Sequence, residues 1–139
     1  MKNLFLFLTL VSLLACSDDP LSDTIVGEWK LSTISVSDCS DMDNNVPQSI
    51  GNAEGCLTVS TAWICQTLVF HADGTIFSRS TTNGIALNQT LNYTIEDKSN
   101  TGTLCDSINN CSTFILNENL ISFTSSLEDC TLNRTYTMQ

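Results

Sequence analysis

The sequence is poor in positive charge. Five Lys and Arg stand against fifteen Asp and Glu in 139 residues, a formal net charge of -10. Nucleic-acid binders hold phosphates with clustered cations, so that class is excluded. Charged residues of both signs make up only 14 %, about half the usual share. The polar surface must therefore come from Ser, Thr and Asn. There is one His and no Cys-x-x-Cys, which argues against a zinc site and against thioredoxin-like redox chemistry. No segment keeps a helical period, and no apolar run is long enough to span about 30 Å of hydrocarbon as a helix. What is present is 42 % apolar residues and seven cysteines. That suffices for one core in one domain, and so many cysteines do not suit an ordinary cytosolic protein.

The longest apolar run, Leu4 to Leu14, is interrupted only by Thr9 and Ser12 and follows Lys2. Its length and charge suit a signal peptide. It ends in Leu13-Leu14-Ala15-Cys16, which resembles the bacterial lipobox. The resemblance implies a signal peptide over 1–15, a lipidated Cys16 at the mature N-terminus, a tether over 16–24 and a domain over 25–139. Ser17-Asp18-Asp19-Pro20 resembles the acidic export signal of Bacteroidetes surface lipoproteins. An outer-membrane lipoprotein is expected, facing the outside if that signal acts and the periplasm otherwise. The acidic mature chain is repelled by anionic headgroups, so the membrane is a partner only through the lipid on Cys16.

From Thr24 onward the apolar period is near two. Strands are expected over Ile25–Val36, Ile64–His71, Thr75–Thr81, Thr90–Glu96, Thr101–Cys105, Cys111–Leu116, Leu120–Thr124 and Thr131–Met138. The phase slips from Trp29 and Leu31 to Ile34 and Val36, which predicts a bulge near Ser32 and Thr33. Asp73-Gly74 is a hairpin turn, and Asn83-Gly84 lies in the next connection. Ser37 to Thr61 is a long connection, with Ser49 to Thr61 the one place for a short helix. Eight short strands with mostly short turns make an all-β fold, an up-and-down barrel or a small sandwich.

Gly27-Glu28-Trp29 at the start of the first strand and Arg134 in the last resemble the Gly-x-Trp and crossing arginine of lipocalins. Phe70-x-x-Asp73-Gly74-Thr75 is similar to a hairpin of lipocalin-like domains in bacterial lipoproteins. The resemblance covers Ile25 to Met138. It implies an eight-stranded antiparallel up-and-down barrel, with Arg134 laid across the Trp29 ring as a barrel-closing pair and a long first loop over the open mouth.

Apart from Cys16 there remain Cys39, Cys56, Cys65, Cys105, Cys111 and Cys130. An even number in an exported domain implies disulfides. By chain direction all six fall at one end of a barrel, and the tight turns at Asp73-Gly74, Asp97–Asn100 and Asn117–Asn119 at the other. Many pairings are possible. Cys105–Cys111 is the simplest, and Cys39 with Cys65 would leave Cys56 for Cys130.

Catalytic groupings are missing from the pattern. His71 has opposite facing to Phe70 and no triad or metal partner. Asp41-x-Asp43-x-Asn45 starts like a calcium loop, but Val46 replaces the needed Gly and Asn52 the closing Glu. Glu96-Asp97 and Glu128-Asp129 are adjacent and point apart. A non-enzyme without metal or cofactor is expected. Two readings remain: a binding module for a small apolar or amphipathic ligand, touched by Phe70, Tyr93, Phe114 and Leu132, or a structural or protein-interaction domain with a filled barrel. Trp29 is expected to plug the end opposite the cysteines.

Overall fold

The computed structural model describes residues 24–96 and 99–139. The expected signal peptide, Cys16, the expected tether up to residue 23 and the Asp97-Lys98 pair lie outside the described residues. The strands are β1 Gly27–Ser37, β2 Val46–Ile50, β3 Cys56–Val59, β4 Ala62–Phe70, β5 Thr75–Thr82, β6 Ile85–Glu96, β7 Thr101–Cys105, β8 Cys111–Asn117, β9 Leu120–Leu127 and β10 Cys130–Met138. All pairings are antiparallel. β1 pairs with both β10 and β4, so β1 and β4 to β10 close an eight-stranded barrel. No edge is left along this closed lower part, which removes the usual site of strand-to-strand aggregation.

The seam is short. Gly27 to Lys30 pair with Phe70 to Thr67, and then β1 bulges between Leu31 and Thr33, where the apolar phase slips in the sequence. Above the bulge β1 and β4 part. β2 pairs with the upper part of β1 through Thr33↔Ile50, Ile34↔Ser49 and Val36↔Val46. β3 pairs with the upper part of β4, from Cys56↔Cys65 to Val59↔Ala62. The 51–55 connection sits in the fork: Gly51 N–H donates to Ser32 O at 2.6 Å, and Gln66 N–H donates to Gly55 O at 3.0 Å. Gly55 has φ +78, and a Cβ there would meet Gln66 O at 2.9 Å and the Lys30 Cβ at 3.0 Å. Only glycine suits that bend in that space.

The expected short helix at Ser49 to Thr61 is therefore corrected. β2 and β3 occupy this stretch because the fork offers unpaired backbone on both sides, and paired N–H and C=O groups outweigh weak local propensity. The helical turn among the described residues of this segment lies earlier, a 3-10 turn at Met42–Asn44 capped by Asp41. β6 also begins earlier than expected, at Ile85 rather than Thr90. Asn83 and Gly84 both have positive φ, 49 and 85, as a two-residue hairpin turn with the right twist requires.

The upper wall is incomplete on one side. β7 pairs with β6 only over Asn92 to Glu96, and β8 pairs with β9 only over Phe114 to Asn117. The β7–β8 hairpin thus stops short, and the upper parts of β6 and β9 rise above it with a notch between them.

The lower half is solid. Trp29, Leu31, Phe70, Ile76, Phe114, Ile121 and Tyr136 are all buried. Their rings meet edge to face: Trp29–Phe70 at 6.4 Å, Phe70–Tyr93 at 5.1 Å, Phe70–Phe114 at 6.0 Å and Phe123–Tyr136 at 5.5 Å. Burying each such side chain contributes about 1.5–3 kcal/mol, and each ring pair about 0.5–1.5 kcal/mol more. Trp29 Nε1 donates to Ile25 O at 2.8 Å, and both residues are buried at the end where β1 starts. The chain thus satisfies its one buried indole donor without help from another strand.

The register does not form the Trp29–Arg134 pair. Trp29 stands opposite Met138, and Arg134 opposite Ile34. At about 3.3 Å per residue, Arg134 lies about 13 Å up β10 from the level of Trp29. The guanidinium cannot cover the indole, and it projects instead into the open half of the barrel.

Candidate functional site

Above the aromatic floor the inward side chains become smaller and mixed. On β4 they run Leu68, Gln66, Ile64; on β5 Ile76, Ser78, Ser80, Thr82; on β6 Leu91, Gln89, Leu87; on β10 Tyr136, Arg134, Leu132. This taper leaves space. One cavity of about 440 Å³ is lined by Ile34, Val36, Val59, Ile64, Leu87, Leu127 and Leu132 with Ser80, Thr82 and four further polar residues. A second of about 240 Å³ lies toward the notch, against Leu68, Leu91, Leu104, Ser112, Phe123 and Tyr136. Both share Gln66, Ser78, Gln89 and Arg134. These four form a polar tier between the aromatic floor and an apolar mouth.

The tier has one charge, on Arg134, whose guanidinium meets the Tyr136 phenol and no carboxylate within ion-pair distance among the described residues. Arg134 Nε is buried and has no hydrogen-bond partner. Among the described residues the one ion pair, Lys30–Glu28 at 3.8 Å, lies elsewhere. Tyr136 Oη donates to Gln66 Oε1 at 2.7 Å. Burial pushes the Tyr136 phenol up to about 12, although the adjacent Arg134 guanidinium pulls it down. The carboxylate on the wall of the smaller cavity, Asp106, is engaged in its own turn. It accepts N–H groups from Ile108 and Asn110 at 2.9 Å each and the Asn110 side-chain amide at 3.2 Å. The Asn110 backbone bond leads in holding its carboxyl below the usual range.

Of the residues expected to touch a ligand, Leu132 lines the larger cavity. Phe70, Tyr93 and Phe114 line neither cavity, which corrects that expectation. Their rings pack on one another in the floor, and Tyr93 Oη donates to His71 O at 2.8 Å, tied to the turn at the closed end. Large inward aromatics are what fills a small barrel, so the space lies where they run out. His71 is exposed at that same closed end. In the acidic first connection Asp41 Oδ1 accepts the Asp43 N–H and Asn45 Oδ1 accepts the Cys39 N–H.

The six barrel cysteines form three disulfides, and each pair belongs to connections at the mouth end. Cys105–Cys111 closes the β7–β8 hairpin as the sequence suggested. The other two differ from expectation. Cys56 pairs with Cys65 because they oppose each other on β3 and β4, a hairpin not foreseen. Cys39 pairs with Cys130, fastening the segment after β1 to the start of β10. Ser40 N–H donates to Asp129 Oδ2 at 3.2 Å beside it.

Gln66, Ser78 and Gln89 were not singled out from sequence, and Arg134 was given another role. The signal was present for three of the four: Gln66 between Ile64 and Leu68, Gln89 between Leu87 and Leu91, and Arg134 between Leu132 and Tyr136 each interrupt an apolar inward series, whereas Ser78 begins a polar one with Ser80 and Thr82. No protein-family model matches the chain, nor does any curated protein or solved structure.

Proposed function

We propose that the protein is a lipid-anchored module of the cell envelope whose barrel binds one small amphipathic ligand without transforming it. The observation that carries this reading is the cavity of about 440 Å³ above a solid floor. Small-molecule sites span about 300–1,000 Å³ and combine apolar walls with a few convergent polar groups. The cavity has that composition. Its polar groups are amides, hydroxyls and a guanidinium, none of which is a general base at neutral pH, and the carboxylate on the wall of the smaller cavity, Asp106, is taken up by the N–H groups of its own turn. Anchoring rests on Leu13-Leu14-Ala15-Cys16. Labelled fatty acid is expected to enter the wild type and not Cys16→Ala.

The binding test uses the chain from Cys16 to Gln139 with Cys16→Ser, which contains every strand and all three disulfides. An apolar fluorescent probe should bind saturably at about one per barrel. Leu132→Trp should fill the cavity and weaken binding, whereas Phe70→Leu should lower stability and leave probe affinity nearly unchanged. Absence of saturable binding would overturn the reading.

One observation favours a second reading, a protein-interaction domain. Trp63, Ile85, Leu87 and Leu127 are exposed apolar side chains on the strand ends nearest the mouth. A partner covering the mouth would bury them. Capture of a partner that is unaffected by Leu132→Trp would favour this second reading.

A further inference from the structure

We propose that Arg134 is the anchor for an anionic head group, so that the ligand enters head first and leaves its apolar tail at the mouth. This rests on the binding reading above and specifies its ligand class: a single-chain amphiphile with a carboxylate or similar anion.

The order of side chains along the strands carries the argument. A ligand entering from the mouth first meets Val36, Val59, Ile64, Leu87, Leu127 and Leu132. Deeper in, it reaches Gln66, Ser78, Gln89 and Arg134, and then the aromatic floor stops it. Polar groups therefore wait at the inner end of the path and apolar groups at the outer end. A purely apolar ligand would leave this tier desolvated and unpaired, which costs free energy.

Arg134 Nε sharpens the choice of head. It is a donor, buried, with no partner. A guanidinium presents its N–H groups in a planar fork that matches a carboxylate, and such charge-assisted bonds are about twice as strong as neutral ones. The wall carboxylate that could compete, Asp106, is already held by three N–H groups of its own turn. The amides of Gln66 and Gln89 and the hydroxyl of Ser78 line the same space and can donate to the second oxygen of the head. The exterior of the protein is strongly acidic, so this interior cation is also the feature that makes an anion welcome inside.

The experiment compares dodecanoate with dodecanol, which share a tail and differ in head charge. Titrations use the Cys16→Ser chain, with displacement of the fluorescent probe as readout. The wild type should bind dodecanoate about tenfold or more tightly than dodecanol. Arg134→Gln should abolish that preference while keeping dodecanol binding, and Arg134→Lys should restore part of it. Arg134 Nε has no partner in the fold, but the rest of the guanidinium bonds the Tyr136 phenol, so the thermal midpoint of Arg134→Gln is measured beside the titrations. Dodecanol binding kept with the head-group preference gone supports the anchor, whereas loss of binding to both probes together with a lowered midpoint marks a merely structural arginine and overturns it. Equal binding of both probes by the wild type would overturn the head-first assignment and leave the binding module standing. Binding of neither, with the fluorescent probe also unbound, would remove the binding reading itself.

Discussion

Gly102 on β7 and Phe114 on β8 face each other across a strand pair, and the Phe114 ring occupies the place where a side chain at 102 would stand. The glycine is buried among the floor aromatics. Its backbone has no positive φ, so the requirement is for space alone. The ring gains from this a further side of its packing, beside Phe70 and Phe123.

Gly102→Ala is therefore expected to destabilise by about 1–3 kcal/mol, the usual cost of forcing atoms into a packed core. The same change made in a Phe114→Leu background should cost less. Denaturant midpoints of the four proteins check this, and an equal cost in both backgrounds would show that the ring is not the obstacle.

The disulfides should differ in worth according to the chain they close. Cys39–Cys130 spans 91 residues, and Cys105–Cys111 spans 6. The loop-closure model gives about 4.5 kcal/mol for the first and about 2 kcal/mol for the second. Paired Cys→Ala substitutions, compared by urea unfolding, should lower stability more at 39 and 130. A larger loss at 105 and 111 would contradict the ranking.

The chain has two tyrosines, and both phenols are raised above 10. Tyr93 is raised by burial and then by the Asp73 carboxylate, and Tyr136 is raised by burial to about 12. A phenol with a higher pKa in the folded state keeps its proton longer there. Each thus adds stability that is whole below about pH 10 and is lost as pH rises, for Tyr136 toward about 12. Tyrosinate absorbance should show no phenol ionising at its ordinary pH while circular dichroism is still native. Tyr136→Phe should remove most of the alkaline loss of stability.

Much of the barrel was legible because local signals agreed. Leu91, Tyr93 and Ile95 alternate with Asn and Thr, Ile121 and Phe123 flank Ser122, and Phe114 and Leu116 stand at the same two-residue spacing around the exposed Ile115. Each pair set a strand and its inward face, and Asp73-Gly74 set a turn. β2 escaped because Val46–Ile50 is mostly exposed and short, so no buried face imposes a period. The start of β6 escaped for a related reason. Ile85 to Thr90 is exposed where β7 no longer covers it.

The site was harder than the fold because it depends on register between distant segments. Nothing local tells Arg134 that Ile34 and not Trp29 lies across from it. The bulge at Leu31 and Thr33 moves that register, and a bulge can be placed from sequence without its effect on a partner some hundred residues away. The cysteine pairing failed at the same step: once β3 is seen to oppose β4, Cys56 and Cys65 are neighbours.

A barrel packed below and hollow above also has a consequence for descent with modification. Val36, Val59, Leu87 and Leu127 shape the space at the mouth, and none of them belongs to the buried core cluster built on Trp29, Phe70 and Phe114. Exchanges among small and medium residues at such partly open positions usually change stability little, while changes in a packed core are costly. Lineages carrying this chain can therefore diverge in what they hold long before they diverge in how they fold.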